Sequence, residues 1–430
     1  MEFGKSHHLV IALLLVCGSV YFSYTTCHPL YLAKKKGPKI VERKSLSNGK
    51  GEVTLLSKTY KIDQKYMSMQ GPNSFHPKII MTDDVDSSKT IYLTGVRSHL
   101  VNVDDSKSLS AEFFCHSNLT FAYNGITPQE HNQNFNPPTH MDWRIFTLIP
   151  GKLEVNLPEG FGIPIKADTP LDYFTMTLNQ NPGNEPGELR VKTSLIWSDK
   201  TTGIQPVFRR HLYVYQQHEE TKKDNTVAAT FTHSGQLCGQ SADGNQTGLV
   251  PSSFGPRLSQ HPGATCCVDN ASPGGILSQF GSQNTIHWMV PPGEHTYRSD
   301  VSNQFKLPYA TKAHYVTGHL HPYAKSLQLI DLETKEVLFS IESEDFKDKI
   351  GVEKMTEVTS QEGVLIKHEG RYELVTKYHN TSDEPIDAMA ILYLYLAENP
   401  QSTTAQANET APTFLGAAAI PPVKQANFDQ

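Results

Sequence analysis

Leu189, Val191, Leu195 and Trp197 share one parity of a run whose other parity carries Arg190, Lys192 and Ser194. Apolar and polar positions that alternate with period two predict a strand with one face in a core and one near solvent. The pattern returns where Tyr372, Leu374, Thr376 and Tyr378 alternate with Glu373, Val375, Lys377 and His379. His211–Tyr215 (HLYVY) predicts the last strand of a first unit, and Asp387–Leu396 (DAMAILYLYL) is almost continuously apolar. A run of that kind suits the interior of a sandwich, where both faces of a strand are covered. Helical periodicity is nearly absent beyond the N-terminus, and 29 Gly with 27 Pro suit many short strands joined by turns.

These patterns divide the chain. Residues 1–27 contain the apolar run Leu9–Phe22 (LVIALLLVCGSVYF) behind a polar start carrying Lys5. The run predicts a hydrophobic helix serving as a secretory signal or a short signal-anchor. Cys27 follows it and leaves lipid attachment open, although Tyr24-Thr25-Thr26 is a poor lipobox. Lys34, Lys35, Lys36 and Lys39 lie downstream, and the positive-inside rule would put that side in the cytoplasm. Residues 28–50 read as a basic linker, 51–218 as an N-terminal β-sandwich, and 219–285 as a loop-rich, cysteine-containing connection. Residues 286–398 read as a C-terminal β-sandwich and 399–430 as a disordered tail. The predicted fold is therefore all-β: two antiparallel, jelly-roll-like sandwiches behind an N-terminal hydrophobic helix.

Charge and cysteines narrow the chemistry. The net charge is −6 with no basic stripe interleaved with aromatics, which argues against a nucleic-acid partner. Of the six cysteines, Cys115, Cys238, Cys266 and Cys267 lie in the body, an even number that permits two disulfides after export. Cys266 and Cys267 are adjacent and are expected to pair separately, with Cys238 and Cys115. A zinc site is the competing reading, but no CxxC spacing supports it. Asn118, Asn245, Asn380 and Asn408 begin N-x-S/T sequons, relevant in a eukaryotic source. Export implies an extracytoplasmic protein, secreted or membrane-anchored through its N-terminal segment, and periplasmic if bacterial. Signatures of serine hydrolases, nucleotide-binding loops, HExxH zinc enzymes and EF-hands are absent.

His319-Leu320-His321 is the sharpest chemical feature. In a strand, residues two apart point to one face, so the two imidazoles would project together from backbones about 7 Å apart. That pair can share a metal, although such a spacing is also common on surfaces and in packing. Met389 shares a face with Ile391 and Tyr393, and its thioether is either a core group or a soft ligand of the kind that favours Cu(I). His287, His295 and His314 precede the pair as surface or supporting residues. His314 has the opposite parity to His319 and should face away. Tyr323 is placed to pack or to hydrogen-bond near the pair.

The segment from about His287 to Leu396 resembles the C-terminal domain of the copper type II, ascorbate-dependent monooxygenases, the family of peptidylglycine α-hydroxylating monooxygenase and dopamine β-hydroxylase. Val290-Pro291-Pro292-Gly293 is similar to that family's strand start, and Leu307-Pro308, the His-x-His pair and a methionine at Met389 follow in the family's order. The resemblance covers about a quarter of the chain. It implies that His319, His321 and Met389 hold one oxygen-binding copper ion. More faintly, Leu157–Pro164 and Leu178–Pro182 resemble segments of the family's N-terminal half, which binds a second copper through three histidines. Here the pattern departs: the adjacent histidine pair reads Cys115-His116, and the third position falls on Asn179. His116 and Asn179 are thus remnants of a second copper site, or Cys115 and His116 build a different one. His131 and His140 lie nearby without an assigned place.

Two functions follow as expectations. One is a copper-dependent monooxygenase that hydroxylates a C–H bond of a small-molecule or peptide substrate, with ascorbate, another reductant or a partner protein donating electrons. The alternative is a non-catalytic extracytoplasmic protein that binds or delivers copper. A structural module on the sandwich scaffold is a third use, and fold alone does not choose among them.

Overall fold

In the computed structural model, the described residues are 39–398, except 47–48, 67–70, 82–84, 122–143, 201–202, 218–283, 287 and 308. The predicted N-terminal helix, the cysteine-containing connection and the C-terminal tail lie outside them. Among the described residues no helix is long and apolar enough to cross a membrane.

The protein is all-β, built as sandwiches around one long sheet. That sheet contains β1 (Lys39–Ser45), β2 (Lys50–Leu56), β11 (Gly187–Ser198), β5 (Thr90–Val101), β9 (Phe161–Lys166), β12 (Gln205–Tyr213), β24 (Ala390–Ala397), β17 (Thr311–Leu320) and β21 (Glu357–Ile366), in that spatial order. β3 (Tyr60–Ile62) and β8 (Glu154–Asn156) pair at its side with β11 and β5. β4 (Asn73–Ile79), β10 (Leu171–Thr177), β6 (Phe114–Phe121) and β7 (Arg144–Leu148) form a four-stranded sheet against its first half. β16 (Gly293–Asp300), β22 (Tyr372–Asn380), β18 (Ala324–Asp331), β19 (Val337–Asp345) and β20 (Val352–Met355) form a five-stranded sheet against its second. The pairs β13 (Gln216–Gln217) with β14 (Asn284–Thr285), and β15 (Trp288–Val290) with β23 (Ile386–Ala388), complete the set.

Side-chain alternation explains the layers. Leu189, Val191 and Leu195 of β11 are fully buried, while Arg190 and Lys192 between them are half-buried. Polar groups also cross the first sandwich. The Tyr173 hydroxyl on β10 bonds Thr193 on β11 and lies 3.0 Å from Ser117 Oγ, and Tyr60 bonds Ser74. Such bonds satisfy groups that would otherwise be costly to bury. In the second sandwich every residue of β24 is buried. Each leucine removed from water there contributes roughly 1.5–3 kcal/mol. Gly318 on β17 sits under the five-stranded sheet, where a Cβ would come within 3.2 Å of Ile341 and 3.4 Å of the Met355 sulfur.

Some sequence expectations need correction. The end of the basic stretch, read as linker to residue 50, forms the edge strand β1, antiparallel to β2. Its residues are mostly exposed, as a charged edge strand should be, so they carry no core signal. β12, read as the last strand of the first unit, pairs antiparallel with β24 from Val207 to Tyr213 and parallel with β9 only at Gln205 and Pro206. The two sandwiches therefore share a sheet, a non-local pairing that no local pattern encodes. Two sequons also lie inside strands: Asn118 is fully buried on β6, and the Asn380 amide donates to the carbonyls of Val290 and Glu384.

Candidate metal centre

β17 delivers the histidine pair. It runs antiparallel to β24 with His319 opposite Ile391 and Leu320 opposite Ala390. One further step of that register puts His321 across from Met389. Leu320 joins the main core, and the alternation turns His319 and His321 to the other face, toward the first sandwich. Both histidines are buried, and their ring centroids are 5.5 Å apart.

Each ring is held by its Nδ1. That of His319 lies 3.3 Å from the Tyr393 hydroxyl. That of His321 lies 3.1 Å from a carboxylate oxygen of Asp387 and 3.2 Å from the Asp387 carbonyl. Ligating histidines typically have one nitrogen fixed by a carboxylate, carbonyl or hydroxyl, which sets the ring's tautomer and orientation. The supports are themselves fixed. Asp387 is paired through β23 with Met289 on β15, and the buried Tyr378 hydroxyl donates to the Met389 carbonyl at 2.8 Å. Burial raises Tyr378 far above the usual phenol range, so it stays a neutral donor. Just past the pair, Tyr323 takes a positive φ of 69° and its amide donates to both carboxylate oxygens of Asp345 at 3.1 Å. Tyr323 thus forms the turn after the pair.

Met389 is buried beside Tyr213, Ile286, Ile391 and Tyr393, in a cluster separate from the main core. It shares the face of the histidines by register but does not line their cavity. Among the described residues no three His, Cys, Asp or Glu side chains converge closely enough to hold a metal. A metal at this place would rest on two imidazoles with the thioether as the third donor, a soft set that suits Cu(I). By chemistry alone, imidazole and thioether are donor types that Cu(I) accepts.

The cavity beside the pair is small, about 20 Å³, and joins the two sandwiches. Its walls include Glu112, Cys115 and His116 from the first sandwich and His319, His321 and Phe346 from the second. A volume of that size accommodates about one water. Bonds cross the seam beside it. Lys349 pairs with Glu112 at 3.2 Å, and Asn181 exchanges two bonds with the backbone of Ile350, at 2.9 and 2.8 Å. At the same seam Gly151 has a φ of +75°, and a Cβ there would lie 2.5 Å from Val352 and 3.0 Å from the Lys354 backbone.

His116 and Asn179 meet different fates. His116 is fully buried on β6, stacks on Phe174 at 5.2 Å, and has Nδ1 3.2 Å from Cys115 Sγ. Its Nε2 is buried without a hydrogen-bond partner. An orphaned polar atom of this kind costs about 1–3 kcal/mol. Burial first, then the nearby charges of Arg144 and His321, push the imidazole down to about 3, so it is neutral at ordinary pH. Asn179 ties its loop to another: its amide donates to the Gln64 carbonyl at 3.1 Å and its Oδ1 accepts from the Asn181 amide. Leu178 and Gln180 line the cavity, and Asn179 does not. Cys115 is buried beside His116, while Cys238, Cys266 and Cys267 lie outside the described residues, as do His131, His140 and His287.

His314 is not a surface residue. A bulge in β17 between Ala313 and Tyr315 lets it stack on Phe161 at 4.1 Å, with Nδ1 2.9 Å from the Ser360 carbonyl. Sequence reasoning missed Asp387 and Tyr393 as supports of the pair, and Glu112 as a wall of the cavity. Asp387 stands two residues before Met389, a proximity that could have drawn attention to it.

The sequence matches no described protein family and no curated protein. Among solved structures it is similar to the "STIV MCP" crystal structure, at 8% identity over 82% of this chain and 98% of that one, with a TM-score of 0.28. It is also similar to the major capsid protein P2 from bacteriophage PM2, at 8% identity over 80% and 98% of the two chains, with a TM-score of 0.22. At these scores the likeness carries nothing about what this chain does.

Proposed function

We propose that this chain is an exported copper protein that holds one ion between His319, His321 and Met389. The observation that carries the reading is the pair of buried imidazoles, 5.5 Å apart, each braced at Nδ1 by Asp387 or Tyr393. Ligand histidines are typically braced in this way, which fixes the ring's tautomer and orientation. The soft thioether across from His321 favours copper over zinc or magnesium.

Of the two uses of such an ion, holding or delivering copper fits the geometry better. The histidines are buried and the adjoining cavity has room for about one water, not for a C–H substrate. The resemblance to ascorbate-dependent monooxygenases supports the second use, hydroxylation of a C–H bond with dioxygen. A redox-competent ion is common to both. The apolar run Leu9–Phe22 supports export, with the membrane as the anchoring partner.

Metal analysis of the purified protein tests the reading. The expected result is one copper per chain, lost in the His319→Ala/His321→Ala double variant. X-ray absorption of the reduced protein should show two imidazoles and one sulfur. Copper that survives in the double variant places the ion elsewhere and ends the proposal. Oxygen consumption coupled to a hydroxylated product would favour the oxygenase use, and transfer of copper to an apo-acceptor the delivery use.

A further inference from the structure

We infer that His116 is a positioning residue for this same site: through Nε2 it holds a water-sized molecule in the cavity against the His319–His321 pair. The inference rests on the copper reading and adds a role for a residue of the other sandwich.

Three observations meet here. The cavity has the volume of about one small molecule and is walled by His116 on one side and by His319 and His321 on the other. His116 spends its Nδ1 on Cys115 and leaves Nε2 buried with no protein partner. Buried ring nitrogens are normally satisfied, so an orphan on a residue that walls a water-sized space points to a hydrogen-bonded occupant. Among the described residues His116 does not join the pair in a three-ligand cluster. The Cys115 contact fixes the ring's rotation, and the stack on Phe174 fixes its plane. With its proton on Nε2 the neutral imidazole donates to a water or to a small anion such as azide, and with its proton on Nδ1 it accepts from a water.

The test uses the full-length copper-loaded protein with azide on the oxidised form and carbon monoxide on the reduced form. Wild type, His116→Leu and His116→Gln are compared, with copper content measured in each. The expected result is one copper per chain in all three, azide binding weakened about tenfold in His116→Leu, as loss of one hydrogen bond implies, and partly restored in His116→Gln. The carbon–oxygen stretch of bound carbon monoxide should shift in His116→Leu and return toward wild type in His116→Gln. Full copper with unchanged azide affinity and stretch in His116→Leu overturns the role of His116 alone. Loss of copper in His116→Leu, with its fold intact by circular dichroism, makes His116 a ligand and overturns the positioning role. A wild type that binds no copper overturns the copper reading together with this one.

Discussion

Asp387 grips His321 twice, by its carboxylate at 3.1 Å and by its backbone carbonyl at 3.2 Å, both at Nδ1. The carbonyl contact survives any substitution of the side chain, so the carboxylate's share can be isolated. Asp387→Ala should weaken copper binding by about 10–100-fold, the range typical for supports of ligand histidines. Asp387→Asn should lose less, since its amide oxygen can still accept. Competition against a Cu(I) chelator measures both, and an unaltered affinity in Asp387→Ala would mean that the carboxylate gives His321 no support beyond that of the carbonyl.

Met389→Leu should separate the two oxidation states. Met389→Leu keeps the volume of a buried side chain and should change stability by less than about 1.5 kcal/mol. It removes the soft donor, so Cu(I) affinity should fall more than Cu(II) affinity. Equal loss of both, or of neither, would assign Met389 to packing against Tyr213 and Ile391 alone.

His76 gives a pH signature away from the metal centre. It is buried on β4 with Nε2 2.8 Å from Ser74 Oγ, and burial, aided by the charge of Lys58, pushes its imidazole down from 6.5 to about 3. The unfolded chain therefore binds a proton at this residue between pH 6.5 and 3 while the folded one does not. Its contribution is fully present above pH 6.5 and is lost as pH falls toward 3, with a slope of up to about 1.4 kcal/mol per pH unit. Urea unfolding across this window should show the slope in wild type and a shallower one in His76→Leu. Parallel curves for the two would contradict the burial of a neutral ring.

Gly151 tests the seam between the sandwiches. Gly151→Ala combines a φ of +75° with a Cβ 2.5 Å from Val352, and should destabilise by about 1–3 kcal/mol, read as a fall in Tm. Gly183→Ala has a similar φ of +86° and open space around it, so it should pay only the backbone share. Equal losses in both variants would remove the seam from the explanation.

What was legible in the sequence was local. The alternation of β11 and β22 and the continuous apolarity of β24 follow from side-chain periodicity, and the structure forms strands there. The common face of His319 and His321 follows from the same rule. What was not legible depends on distant pairing or on broken periodicity. β1 is an edge strand with no core signal, and the β17 bulge resets the parity by which His314 was judged. The place of His116 opposite the histidine pair needs β6 and β17, some 200 residues apart, to meet at one cavity. No spacing along the chain announces that meeting.

The ladder from Val207 to Tyr213 against β24 has a mechanical meaning. Two sandwiches joined by a flexible tether can rock and expose whatever lies between them. Here the same hydrogen-bonded ribbon runs through both, so separating them means unzipping a buried ladder, not bending a linker. The stiffness of that spine leaves the contacts of Lys349 with Glu112 and of Ile350 with Asn181, a few bonds on a rigid frame, as the part of the seam that can give first.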